Sequence, residues 1–327
     1  MQPLANPAKP NSHGPQAAPG RWIWVLSGTL TIAVVGSLGS AAIVWGNSTP
    51  GDHGPTMVLP THTVTVTQPV SALNVQSYGA PIKVNAAPGG PVQFAETISY
   101  STRHAPAVTD TVSHGLLTLA APACANADCS VAFSVTVPPG VKVTATTSGG
   151  SVTVAGTGAA DIDSGGGPVN AASIGGPLSV NAEGGGVTVT GAAATQIDSG
   201  GGPVTADAIR GPLGVTAEGG GVEANAVTGT LNVDTGGGPL TATGISSPSA
   251  TVKGEGGGVT LGFATAPTTV SVDTGGGNAS VSVPGGPYAV TVDSGGSAQS
   301  VLIPTDPGSA SSISVSTDGG NLAIGPA

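Results

Sequence analysis

Ile162-Asp-Ser-Gly-Gly-Gly-Pro-Val-Asn-Ala-Ala-Ser-Ile-Gly-Gly-Pro-Leu-Ser-Val180 is the stretch whose reading decides the fold. It holds a short alternating segment, a glycine-rich corner, a second alternating segment and a second corner before the pattern restarts. The same unit recurs along the chain. Taking Ala145, Ile162, Val180, Ile197, Val215, Val233, Val252, Val272, Val292 and Val315 as anchors, the successive gaps are 17, 18, 17, 18, 18, 19, 20, 20 and 23 residues. Another apolar residue stands two before most anchors, as at Val143, Leu178, Leu213, Leu231, Val270, Val290 and Ile313. A third stands seven after, at Val152, Val169, Val187, Val204, Val222, Leu240, Val259 and Leu322. Ile174, Ile209, Val227 and Ile245 mark the second corner, twelve past their anchors. Ala160, Ala250, Ala279 and Gln299 break the pattern.

A strand pair this short cannot bury its own apolar face, but stacked pairs share a thin core of Val, Ile, Leu and Ala. The first corner reads Asp-Ser/Thr-Gly-Gly-Gly at Asp163, Asp198, Asp234 and Asp273, Asp-Ser-Gly-Gly at Asp293, and Glu-Gly-Gly-Gly at Glu183, Glu218 and Glu255. Tight corners that visit positive φ favour glycine. The expected fold is all-β: a Gly-rich β-solenoid of about ten 17–20-residue coils, preceded by an antiparallel β region and one N-terminal transmembrane helix. At about 4.8 Å per coil its long axis is roughly 45–50 Å.

Upstream of the repeat the period is also 2, as in Ile82-Lys-Val84, Val92-Gln-Phe94, Leu117-Thr-Leu119 and Val131-Ala-Phe133. The run Val131-Ala-Phe-Ser-Val-Thr-Val-Pro-Pro-Gly-Val-Lys-Val-Thr-Ala-Thr-Thr-Ser-Gly-Gly-Ser-Val-Thr-Val154, with the Ser/Thr-Gly-Gly and Val alternation after it, resembles the bacterial putative-adhesin β-solenoid family. The resemblance spans roughly residues 70–325. It implies a β-solenoid of unknown function, often with a single membrane anchor, and supplies no catalytic residues.

Composition agrees with a thin core. Gly 55 and Pro 28 make up about a quarter of the 327 residues, yet charged residues are only 7% and mean hydropathy is positive, so self-repulsion does not hold the chain open. Aromatics are 3%, and Trp22, Trp24 and Trp45 fall in one N-terminal segment. That segment, 22–45, carries no charge and is about 36 Å long as a helix, enough to cross a bilayer. Lys9 and Arg21 precede it and no basic residue follows until Lys83, which places the N-terminus inside and the body outside. A signal peptide cleaved near Gly39-Ser40-Ala41 is the competing reading. The expected organisation is a disordered cytoplasmic tail (1–21), a transmembrane helix (22–45), a Thr/Pro-rich stalk (46–69), an N-terminal β region with a disulfide loop (70–140) and solenoid repeats (141–327). Cys124 and Cys129, the only cysteines, suit a small loop-closing disulfide in an oxidising compartment.

Two arrays are candidate sites. The carboxylates Asp163, Glu183, Asp198, Glu218, Asp234, Glu255, Asp273 and Asp293 open the corners. Turn capping by the side chain is the favoured reading, and Ca²⁺ binding by oxygen ligands the alternative. No other cofactor is expected. The outward residues eight past the anchors include Thr153, Thr188, Thr205, Thr241 and Thr260, a hydroxyl-rich ladder suited to polysaccharide or to no ligand at all. The net charge of −10, with residues 52–327 holding five basic and 17 acidic side chains, gives no footprint for nucleic acid. The triple glycines precede strands rather than helices, so they are not nucleotide loops. No catalytic set emerges from spacing. The expected function is non-enzymatic: a single-pass protein of the bacterial cell membrane with an adhesin-like or structural extracytoplasmic body, binding surface components, cell-wall polysaccharide or an envelope protein. The rivals are an envelope sensor or accessory subunit signalling through its helix and, remotely, a carbohydrate-active enzyme.

Overall fold

The computed structural model describes residues 42–43, 57–101, 105–121 and 129–327. Among these the chain is all-β, in two sheets of 13 and 16 strands facing each other. Each coil contributes one strand to each sheet. Lys142–Thr147, Ala159–Ser164, Leu178–Ala182, Thr195–Ser199 and Leu213–Ala217 lie side by side in the first, here called the anchor sheet. Val152–Ala155, Val169–Ala172, Val187–Thr190, Val204–Asp207 and Val222–Asn225 lie side by side in the facing sheet. All these neighbours are parallel and in register, so each anchor stands opposite the next: Ala145 to Ile162, Val180, Ile197, Val215 and onward to Val272.

The anchors and their brackets fill the space between the sheets. Val143, Ala145, Ile197 and Val233 are fully buried, as are Val152, Val169 and Val189 opposite them. Ile174, Ile209, Val227 and Ile245 close the second corner from inside, each fully buried. The breaks in the pattern have a simple origin. Ala160, Ala250 and Ala279 point inward as small residues, while Gln299 is exposed on an end coil.

The stacking order departs from the chain order at both ends. Ser312–Ser316 pairs with Thr269–Asp273 on one side and with Ala289–Asp293 on the other. Leu322–Pro326 lies likewise between Ala279–Val283 and Gln299–Val301. The last coil of the chain is thus inserted beneath the one that precedes it, and the long 23-residue step between Val292 and Val315 is the return connection. At the other end the first coil, Ala72–Ser77 with Ile82–Ala86, sits between the repeats and a coil made by Leu116–Ala120 and Cys129–Val137. Residues 70–140 therefore add two parallel coils to the ten of the repeat, twelve in all. The antiparallel strands Val92–Tyr100 and Thr109–Ser113 of this region, with His62–Val66 before it, flank this end of the stack. The opposite end carries no further strand beyond Ala289–Asp293 and Gln299–Val301, where Val290, Val292 and Val301 are only half-buried.

Within the expected membrane segment only Ala42–Ile43 is described, as a two-residue strand antiparallel to Met57–Val58, not as helix. The rest of 22–45 lies outside the described residues, as do the 1–21 tail and residues 46–56 of the 46–69 stalk, whereas 57–69 contains the strands Met57–Val58 and His62–Val66. No helix among the described residues is long and apolar enough to cross a membrane. Cys129 is disulfide-bonded. Cys124 lies outside the described residues.

Candidate binding faces

The glycine corners owe their composition mainly to contact between coils. In most of them φ is not in the left-handed region, contrary to the expectation; the exceptions are Gly237 and the corners nearest the C-terminal end, where Gly275 and Gly295 are at +58°, Gly296 at +95° and Gly319 at +116°. Instead one glycine of each corner, the third in the Asp type and the second in the Glu type, packs against the coil below. A Cβ on Gly167 would overlap the carbonyl oxygen of Gly150, one on Gly185 that of Gly167, and one on Gly202 that of Gly185. The column continues to Gly277, and Gly320 stacks on Gly277 in turn, which fits the inserted last coil. In the Asp-type corners the middle glycine differs: Gly166 and Gly201 face open space.

Turn capping at the corner falls chiefly to the Ser or Thr two residues past the anchor. Ser164 Oγ donates to Gly167 O at 2.9 Å, Ser199 Oγ to Gly202 O at 3.0 Å, Thr274 Oγ1 to Gly277 O at 2.6 Å and Thr317 Oγ1 to Gly320 O at 2.7 Å. These hydroxyls are buried. The aspartate itself accepts a turn bond at two coils, from Gly275 N to Asp273 Oδ1 at 3.4 Å and from Gly295 N to Asp293 Oδ1 at 3.1 Å. The Ser/Thr of the corner motif was legible in the sequence, but its inward direction was not. It follows the anchor by two, so the pleat turns it to the same side as the anchor.

The corner acids form a zigzag along one edge of the stack. Asp163 stands opposite Asn181, which stands opposite Asp198; then come Thr216, Asp234, Lys253 and Asp273. Glu183, Glu218 and Glu255 fall two residues further on, in the coils between. In chain order two Asp-type coils, those of Asp273 and Asp293, would adjoin. The inserted coil places Ser316 between them and adds Asp318 at the Glu-type position, so the alternation runs unbroken. Equivalent carboxylates are thereby about 9.6 Å apart, two rungs, beyond a Debye length of about 8 Å in physiological salt. Stacking in chain order would set Asp273 directly beside Asp293, a like-charge pairing that destabilises a sheet. Among the described residues no three His, Cys, Asp or Glu side chains gather as a metal-binding group.

The threonine ladder lies on the outer surface of the facing sheet. Lys83, Thr153, Asn170, Thr188, Thr205, Glu223, Thr241, Thr260 and Ser280 follow one another in register, one per coil. All five predicted threonines share this file. Thr188, Thr241 and Thr260 are exposed; Thr153 and Thr205 are half-buried by their neighbours. A parallel file two residues on, which includes Thr190, Asp207, Asn225 and Thr243, widens the same surface. In it Thr243 Oγ1 donates to Asn225 Oδ1 at 2.5 Å. Sequence reading passed over this second file because small residues, Ala155 and Ala172, occupy its first places.

Of the histidines, His62 pairs across strands with Glu96. His114 sits at an exposed turn with Ser113 Oγ 2.9 Å from its Nδ1. Both lie at the antiparallel end of the stack, away from the threonine file.

No family model matches the chain, and no curated protein matches it. Solved structures do. A putative adhesin from Bacteroides fragilis is 12% identical, over 82% of this chain and 96% of its own, with a TM-score of 0.35. A putative adhesin from Parabacteroides merdae is 11% identical, over 81% and 95%, with a TM-score of 0.29. A putative lipid binding protein from Parabacteroides distasonis is 11% identical, over 81% and 96%, with a TM-score of 0.34. The chain is a β-solenoid whose structural neighbours include putative adhesins.

Proposed function

We propose that this chain is a membrane-anchored, extracytoplasmic adhesin-like protein that binds cell-surface or cell-wall polysaccharide through repeated polar side chains, and that it is not an enzyme. The observation that supports this reading is the threonine file: a mostly uncharged, hydroxyl-rich row with one residue per coil. Each contact is weak, but contacts along one rigid rod add through effective concentration. The uncharged segment at 22–45 supports the anchor, and the preceding Lys9 and Arg21 support an N-terminus in the cytoplasm.

The test is retention of the full chain, in detergent, on insoluble bacterial cell-wall polysaccharide. Wild type should be retained, and Thr188→Lys with Thr241→Lys should weaken retention by crowding the file. A chain that washes straight through sinks the binding role, and turnover of the polysaccharide sinks the non-enzymatic one.

A further inference from the structure

The anchor sheet also has an outer surface, and it is not flat. A groove of about 650 Å³ runs across its strands. One wall is the file Ser179, Gln196, Gly214 and Asn232, adjacent in register one residue before the anchors. The other is formed by Pro177 and Pro212, with Ala194 between them and Thr230 beyond, where the second corner rises past the sheet. Gly214 has no side chain, and the Gln196 carboxamide leans over the space this leaves: a Cβ on Gly214 would overlap Gln196 Oε1.

Three features define the occupant. The floor is the middle of a parallel sheet whose backbone groups are taken by the coils on either side, so an added peptide strand has nothing to pair with. Recognition falls to side chains. The groove's polar side chains are hydroxyls and carboxamides, each able to donate and accept, set among apolar Pro177, Ala194 and Pro212; the one carboxylate and the one ammonium, Asp161 and Lys142, lie together at one end. The surface therefore matches an uncharged, hydroxyl-rich polymer. Finally, the pattern repeats every second coil. Gln196 and Asn232 are two rungs apart, and so are Pro177 and Pro212, a pitch of about 9.6 Å, close to the length of two sugar rings in an extended β-linked chain. The exposed proline rings offer apolar faces to sugar C–H groups while the carboxamides take the hydroxyls.

We infer that this groove binds a linear, neutral, β-linked glycan lying along the long axis of the stack. The inference rests on the polysaccharide-binding reading above and assigns it a second, concave face on the opposite sheet. The experiment is calorimetric titration of the full chain, in detergent, with cellohexaose and with chitohexaose. At least one should bind. Gln196→Trp and, independently, Ser179→Trp fill the groove from exposed positions and should each weaken binding more than tenfold. Gln196→Ala should weaken it about two- to tenfold, the scale of one hydrogen bond. Thr188→Trp, on the facing sheet, should leave it unchanged, and circular dichroism of every variant should match wild type. Binding lost in Thr188→Trp but kept in Gln196→Trp and Ser179→Trp overturns the groove and leaves the polysaccharide reading standing. Failure of both hexasaccharides to bind at millimolar concentration also overturns the groove, and retention on cell-wall polysaccharide then reports separately on the broader reading.

Discussion

At the scale of single residues the glycine corner contains two kinds of position that composition alone does not separate. Gly167 lies against the Gly150 carbonyl, whereas Gly166 faces open space. Gly167→Ala should therefore cost about 2–3 kcal/mol through overpacking, and Gly166→Ala should stay within about 0.5 kcal/mol of wild type; chemical denaturation of the two variants measures both. The anchor Val215 is 2% exposed. Val215→Asp places an unpaired charge in a core one side chain deep and should abolish cooperative folding; a variant that melts like wild type would contradict the register. Glu96 behaves differently. Burial raises its carboxyl above the ordinary value of 4.5, with His62 opposing the shift and Asp110 adding to it. The folded chain thus holds this proton more readily than the unfolded one. The burial penalty is full above the raised value and is relieved as pH falls through it towards 4.5. Glu96→Gln should accordingly melt higher than wild type at pH 7, with the gap closing by pH 4.

At the scale of elements the notable units are the coils at the two ends. Ala289–Asp293 and Gln299–Val301 have strand partners only in the last coil of the chain. A chain truncated after Ser311 should lose protection from hydrogen exchange over 289–301 as well as lacking 312–327. A stack in chain order would keep 289–301 protected, seated on 269–283. The ten units of the repeat were legible because anchor and bracket recur at a near-constant offset, and Ile162 with Val169 shows the rule in one coil. The insertion was not legible as such. Its traces were there: the 23-residue step before Val315, and Asp293 following Asp273 where a Glu-type corner was due. Both become intelligible only when the strands are paired. The two coils within 70–140 escaped for a related reason. Ile82-Lys-Val84 and Val135-Thr-Val137 alternate as any strand does, and period alone does not say whether a strand's neighbour is parallel or antiparallel.

At the scale of the molecule the twelve coils form a rod about 53 Å long, at about 4.8 Å for each of eleven rises. It has two broad outer faces of different character. The facing sheet presents a file of threonines and the anchor sheet a groove edged with proline and carboxamide, so the rod offers a repeating polymer two surfaces of different chemistry. The threonine file was legible from the offset of eight past each anchor. The groove was not, because it is lined by side chains from two separate files, the one before the anchors and the prolines of the second corner, and no single spacing joins them. Both faces depend on coil order, since every file is a succession of registered neighbours. The most direct measurement is disulfide trapping across the inserted coil. Ser271 stands opposite Ser314, and Thr291 lies one rung beyond, opposite Ser314 on its other side. Under mild oxidation the Ser271→Cys, Ser314→Cys chain should cross-link readily and the Ser271→Cys, Thr291→Cys chain should not, since one rung separates its thiols. Efficient linking of 271 to 291 with none from 271 to 314 would mean that the coils stack in chain order and would contradict the account.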